Sequence, residues 1–89
     1  MRAGDIGALM KVITLYGKPD CHLCEEAQNV LEKLRSELRF ELLEVDITID
    51  EALHRTYFER IPVVTLGGEE LFEYFVDEGA LRRRLQAIL

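Results

Sequence analysis

The sequence predicts an α/β fold, a four-stranded mixed sheet flanked by helices in the order β-α-β-α-β-β-α, and three observations carry that prediction. Short apolar runs recur as "KVITLY", "RFELLEVDI", "IPVVTL" and "EELFEYF", the length and composition of strands. Between the first two, apolar residues from Leu23 to Leu38 fall at helical spacing. Between the last two stands only Gly67-Gly68, which makes a tight hairpin turn. A strand–helix–strand start requires a parallel pair joined by a right-handed crossover, and the hairpin adds an antiparallel edge.

Each element has its own warrant. Residues 11–16 are β-branched and apolar, a buried strand, and "GKPD" ends it with turn chemistry. In the first helix Leu23, Ala27, Val30, Leu31, Leu34 and Leu38 form one face, while Glu25 and Glu26 occupy the first turn, where the helix dipole favours negative charge. The second strand runs through "RFELLEVDI" to Ile47. Asp50 is an N-cap for a short helix with Leu53 and Tyr57 one turn apart. Pro62 opens the third strand, where a ladder N–H is dispensable, and the fourth runs from Glu69 to Phe75. Asp77 then caps a last helix that buries Leu81, Leu85 and Ile88 and turns Arg82, Arg83 and Arg84 outward near its C-terminus.

The whole chain bounds the function. Its 89 residues make one domain, residues 11–89, preceded by a loosely ordered extension, residues 1–10. Apolar residues at 48% and charged residues at 31% are an ordinary globular composition. A formal net charge of −6 argues against a nucleic-acid partner, whose phosphates would be repelled. No stretch has the length of a signal or membrane span, so the expected location is the cytoplasm, where structural disulfides are rare. A monomer is the expected state.

The chemistry is concentrated in "KPDCHLCEEA", which holds both cysteines of the chain, Cys21 and Cys24. As a staple the pair is weak: closing so short a loop stabilises by on the order of 2 kcal/mol at best. Structural zinc needs four ligands, and the other soft candidates are His22, wedged between the cysteines, and His54. No metal is expected. Redox chemistry, by contrast, explains the spacing. At a helix N-terminus Cys21 meets unpaired N–H groups that favour its thiolate, while Cys24 lies one turn deeper, within bonding reach and less exposed. Cys21 is therefore the candidate nucleophile that attacks a disulfide, and Cys24 the resolving thiol that releases the product. Lys18 and a protonated His22 would push the Cys21 pKa down; Asp20 and Glu25 oppose them across screened, exposed positions. The alternative is a non-catalytic module that uses the same fold to hold a metal or iron–sulfur cluster or to dock a partner protein.

"LYGKPDCHLCEEA" together with "RIPVV" resembles the glutaredoxins of the thioredoxin-like superfamily, most nearly the small bacterial glutaredoxin-like proteins with a Cys-x-Leu-Cys site. The resemblance spans residues 11–89 in element order. It implies a thiol–disulfide oxidoreductase, with Cys21 and Cys24 catalytic and Lys18 an electrostatic helper. It further implies that Pro62 is cis beside the cysteines and that Ile61 pairs through its backbone with a bound peptide or glutathione. No tightly bound cofactor is implied. The expected partners are a disulfide-containing protein or a low-molecular-weight thiol, with glutathione as candidate co-substrate and either glutathione or a reductase as electron donor. The sequence departs from the family at His22-Leu23, where glutaredoxins carry Pro-Tyr, and at Arg60-Ile61. It departs again at "EYFVDEGAL", which lacks the paired glycines that cradle glutathione; Tyr74, Phe75 and Val76 there read as edge-strand packing. Tyr16 reads as core-edge packing and His54 as a solvated surface residue.

Overall fold

The computed structural model describes residues 11–88. Strand β1 (Val12–Gly17) leads into helix α1 (His22–Glu37), which returns the chain to β2 (Glu41–Asp46). A 3-10 turn (Ile47–Ile49) and the short helix α2 (Glu51–Tyr57) follow, then β3 (Val63–Leu66), β4 (Glu69–Glu73) and α3 (Glu78–Ile88). The sheet order is β2-β1-β3-β4, with β1 and β2 parallel and the β1–β3 and β3–β4 pairs antiparallel. This is the predicted mixed sheet. The 3-10 turn lies where the sequence suggested the end of a strand; Asp46 causes it by accepting the Thr48 N–H at 2.8 Å, which draws the chain out of the ladder.

Strand β1 alternates, turning Ile13, Leu15 and Gly17 into the interior and Val12, Thr14 and Tyr16 to a half-buried face. Helix α1 covers the interior face with Cys24, Ala27, Leu31 and Leu34. Leu23, expected on that face, is 43% exposed instead: it is rotated about 100° from Cys24, which takes the inward position. Leu38 ends the helix as its C-cap. Val64, Leu66, Phe40, Leu81 and Leu85 complete one apolar core. Asp50 and Asp77 cap as predicted, accepting the Leu53 and Ala80 N–H groups, each at 3.0 Å. The side chain of Ile88, and the extension over residues 1–10, lie outside the described part.

Two further expectations are corrected. Strand β4 ends at Glu73, and Leu71 forms a bulge where the register with β3 shifts, so Tyr74 and Phe75 are not strand residues. Tyr74 turns the chain away with a φ of +69°, and Phe75 is 68% exposed. The Arg82–Arg84 run sits in the middle of α3 rather than at its end, and it ties elements together. Arg82 pairs with Glu37 at the end of α1 and with Glu78, while Arg84 reaches Glu69 on β4. Among the described residues, no helix is long and apolar enough to cross a membrane.

Candidate active site

The register places Tyr16, Val63 and Glu73 side by side, so the end of β1, the start of β3 and the end of β4 share one end of the sheet. The Lys18–Asp20 turn connects that end to α1. Asp20 takes a φ of +60°, a left-handed conformation that Asp tolerates better than most residues, and it aims the chain into the helix. Cys21 is the N-cap. Its sulfur accepts the Cys24 N–H at 3.2 Å, and its carbonyl accepts the Glu25 N–H at 3.0 Å. Cysteine thus fills a place usually given to an oxygen side chain.

Cys21 and Cys24 are joined in a disulfide, their Cα atoms 5.2 Å apart. The two sulfurs are not equivalent. Cys24 is buried at 7% exposure, whereas Cys21 is only partly covered. Gly17 permits this placement: a Cβ there would lie 3.0 Å from the Cys24 sulfur and 3.2 Å from its Cβ. In the sequence Gly17 looks like part of the turn after β1. Its signal was available in the alternation of β1, where a glycine follows Ile13 and Leu15 on the face that α1 must approach.

Cys24 packs with Ile47 and Ile61, and Tyr16, Cys21, Leu53 and Tyr57 close around that group. The Tyr16 and Tyr57 rings stack with centroids 4.4 Å apart, and the Arg60 guanidinium lies 5.4 Å from the centre of the Tyr57 ring. Burial, then the neighbouring Tyr16, pushes the Tyr57 hydroxyl pKa up. The Ile61–Pro62 peptide is cis, as the resemblance implies, and Pro62 is fully buried. Ile61 has its N–H engaged already, donating to the Tyr57 carbonyl at 3.1 Å. The loop carrying Ile61 and Pro62 is held from β4: Arg60 pairs with Glu70 and Glu73, the Tyr74 N–H donates to the Pro62 carbonyl at 2.8 Å, and the Tyr74 hydroxyl donates to the Glu59 carbonyl at 3.0 Å.

Lys18 is exposed on the turn and lines a cleft of about 370 Å³ that opens beside Cys24, together with Asp20, Glu25, Glu44 and Asp46. The Thr48 hydroxyl, followed by its N–H, holds the Asp46 pKa below the usual carboxylate range. His22 opens α1 with an exposed ring turned toward Glu26, Nε2 to Oε1 at 3.2 Å, and toward Glu25 at 4.0 Å. Tyr57, Arg60 and Tyr74 were not singled out as site residues, because only the fold brings their loops to the cysteines. Among the described residues no cluster of three or more His, Cys, Asp or Glu side chains is arranged to hold a metal.

A Cys-x-x-Cys pair whose first cysteine caps the helix after the first strand packs with the residue before a cis-proline on a thioredoxin-like fold. The fold agrees: a thioredoxin variant from Halobacterium salinarum superposes with a TM-score of 0.64 over 94% of this chain and 80% of that one, at 23% identity. Within that class, the chain belongs to the glutaredoxin-like domain family (DUF836), whose profile matches residues 12–86. It is 37% identical to the protein XcR50 from X. campestris, whose X-ray structure superposes with a TM-score of 0.69 over 84% of this chain and 96% of that one. It is also 31% identical over 75 residues to a protein of Mycobacterium bovis, Mb0520, covering 79% of this chain and 77% of that protein.

Proposed function

We propose that this chain is a thiol–disulfide oxidoreductase in which Cys21 is the nucleophile and Cys24 the resolving thiol. One observation carries the reading: two bonded sulfurs at a helix N-terminus, one reachable and one buried behind it, with the Cys24 N–H directed at the Cys21 sulfur. In the reduced protein that N–H and the helix end favour a Cys21 thiolate. The thiolate attacks a substrate disulfide, the substrate S–S bond breaks, and one substrate thiolate leaves and takes a proton. Cys24 then loses its proton, attacks the Cys21 sulfur and releases the second thiol. Two electrons pass from the dithiol to the substrate, and the protein is left as the disulfide. A thiol or dithiol donor, glutathione or a reductase, returns it to the reduced form.

In this scheme Lys18 supplies positive charge beside the cysteines, and Ile61 with Pro62 forms the ledge on which substrate lies. His22, drawn toward Glu26 and Glu25, acts on Cys21 only through its charge when protonated. The reading involves no metal and no tightly bound cofactor, and it suits a monomer in a reducing compartment such as the cytoplasm. Replacement of the two cysteines is the test. Cys21→Ser should lower disulfide reduction by at least about a thousandfold, while Cys24→Ser should accumulate a mixed disulfide with substrate, visible by mass spectrometry. Turnover surviving in Cys21→Ser would end the proposal.

A further inference from the structure

The sheet end that carries the disulfide also exposes large apolar side chains on both flanks, on α1 and at the corner after β4, and several acidic side chains are exposed near them. Leu23, between the cysteines, is 43% exposed. Tyr74 and Phe75, 49% and 68% exposed, stand one hydrogen bond from Pro62, since the Tyr74 N–H holds the Pro62 carbonyl. Tyr74 is fixed twice, through its N–H and its hydroxyl, so the corner that presents Phe75 is anchored to the loop of Ile61 and Pro62. The charges nearby have one prevailing sign. Asp20, Glu25, Glu26 and Asp77 are exposed around this end, against Lys18, the His22 ring that faces Glu25 and Glu26, and an Arg60 that Glu70 and Glu73 already neutralise.

From this juxtaposition, and resting on the oxidoreductase reading above, we infer that the substrate is a polypeptide disulfide whose cysteine is flanked by a large apolar residue and by Lys or Arg. The apolar neighbour covers Leu23 and Phe75, which a substrate lacking one leaves wet. The basic neighbour meets the acidic rim, which speeds its encounter and repels anions. Glutathione disulfide carries net negative charge and no apolar side chain, so it is selected against on both counts. The reaction balances as before: the protein dithiol is oxidised to its disulfide, and one substrate disulfide becomes two thiols.

The test uses the reduced full-length chain in single turnover against symmetric disulfides of three capped tripeptides, Lys-Phe-Cys, Glu-Phe-Cys and Lys-Gly-Cys, and against glutathione disulfide. Each rate is divided by that of dithiothreitol with the same substrate, which removes differences in intrinsic reactivity. The Lys-Phe peptide should exceed the Glu-Phe peptide by about tenfold at low ionic strength, and added salt should narrow the gap. It should exceed the Lys-Gly peptide by about fivefold, and Phe75→Ser should remove most of that advantage. The ratio of Lys-Phe to Glu-Phe should fall in Glu25→Gln/Glu26→Gln; because both peptides meet the same Cys21, the ratio is insensitive to any change in its reactivity. Accelerated rates equal for all four substrates, or a fivefold advantage untouched by Phe75→Ser, would overturn the substrate inference and leave the oxidoreductase reading standing. No acceleration over dithiothreitol with any of them would remove the oxidoreductase reading itself.

Discussion

The molecule has two apolar clusters built on different plans. The larger one is mostly aliphatic: Ile13, Leu15, Leu31, Leu34, Val64, Leu81 and Leu85 meet between the sheet and the helices α1 and α3, nearly all of them out of contact with solvent. Ion pairs lace its rim, with Lys33 and Arg82 both on Glu78. The smaller cluster, Cys24, Ile47 and Ile61, is only partly closed, by Tyr16, Tyr57, Leu53 and Cys21, and it reaches the surface at the disulfide. The first excludes water and supplies stability. The second keeps one sulfur buried and its partner accessible, which needs an opening. Damage should separate accordingly, into lost stability at the first and altered redox behaviour at the second.

The sharpest division comes from Leu34→Ala. Leu34 is fully buried, so truncation should cost about 2–5 kcal/mol in urea unfolding of the reduced protein, with little change in the reactivity of Cys21 toward a small disulfide below the transition. A comparable loss of reactivity in the folded variant would mean that the two clusters are one unit. Next comes Gly17→Ala, where the added methyl meets the Cys24 sulfur. It should cost about 1–3 kcal/mol, more in the oxidised than in the reduced protein, because the bond to Cys21 prevents Cys24 from moving aside. The reduction potential should therefore rise, by about 30 mV for each ~1.4 kcal/mol of difference between the two forms. Equal losses in both redox states would place Gly17 with the general core.

Two titrations make smaller claims. With its pKa raised, Tyr57 should ionise at higher pH than free tyrosine, and Tyr57→Phe should remove that late component from the ultraviolet difference spectrum. The sign follows: the folded state prefers the neutral phenol, so this contribution is present below the unfolded pKa and is lost as pH rises through the folded one. At the other cluster, Lys33 and then Arg82 hold the Glu78 pKa below its usual range. That contribution is present above the unfolded pKa and is lost as pH falls through the folded one, so Glu78→Gln should flatten the acid limb of the stability profile slightly. Glu78 is exposed enough for salt to weaken the effect.

Much of this was legible because it depends on local order. The strand runs, the helix period, the Asp50 and Asp77 caps and the Gly-Gly hairpin are encoded by residues within a few positions of one another. The errors share a physical origin. Leu23 and Cys24 are both apolar enough for an inward face, and only the start of α1 at His22 determines which one points in. The end of β4 is not visible locally because Tyr74 and Phe75 have strand-like composition, while the bulge at Leu71 and the hydrogen bonds of Tyr74 are contacts with β3 and its loop. A run of arginines reads as a complement to a helix end, yet two of its carboxylate partners, Glu37 for Arg82 and Glu69 for Arg84, lie on α1 and β4, far away in the chain.

Taken alone, the chain determines that two thiols three residues apart cap a helix behind a buried strand, since spacing, capping and periodicity are properties of neighbouring residues. It also places a proline where a third strand begins. Only the tertiary structure decided what surrounds the thiols. Pairing β1 with β3 and β3 with β4 brings the end of the first strand, Ile61-Pro62 and the Tyr74-Phe75 corner to one edge. Such convergence is created by long-range register, which cross-strand hydrogen bonds and burial on both sheet faces select together, and no short window of sequence contains it.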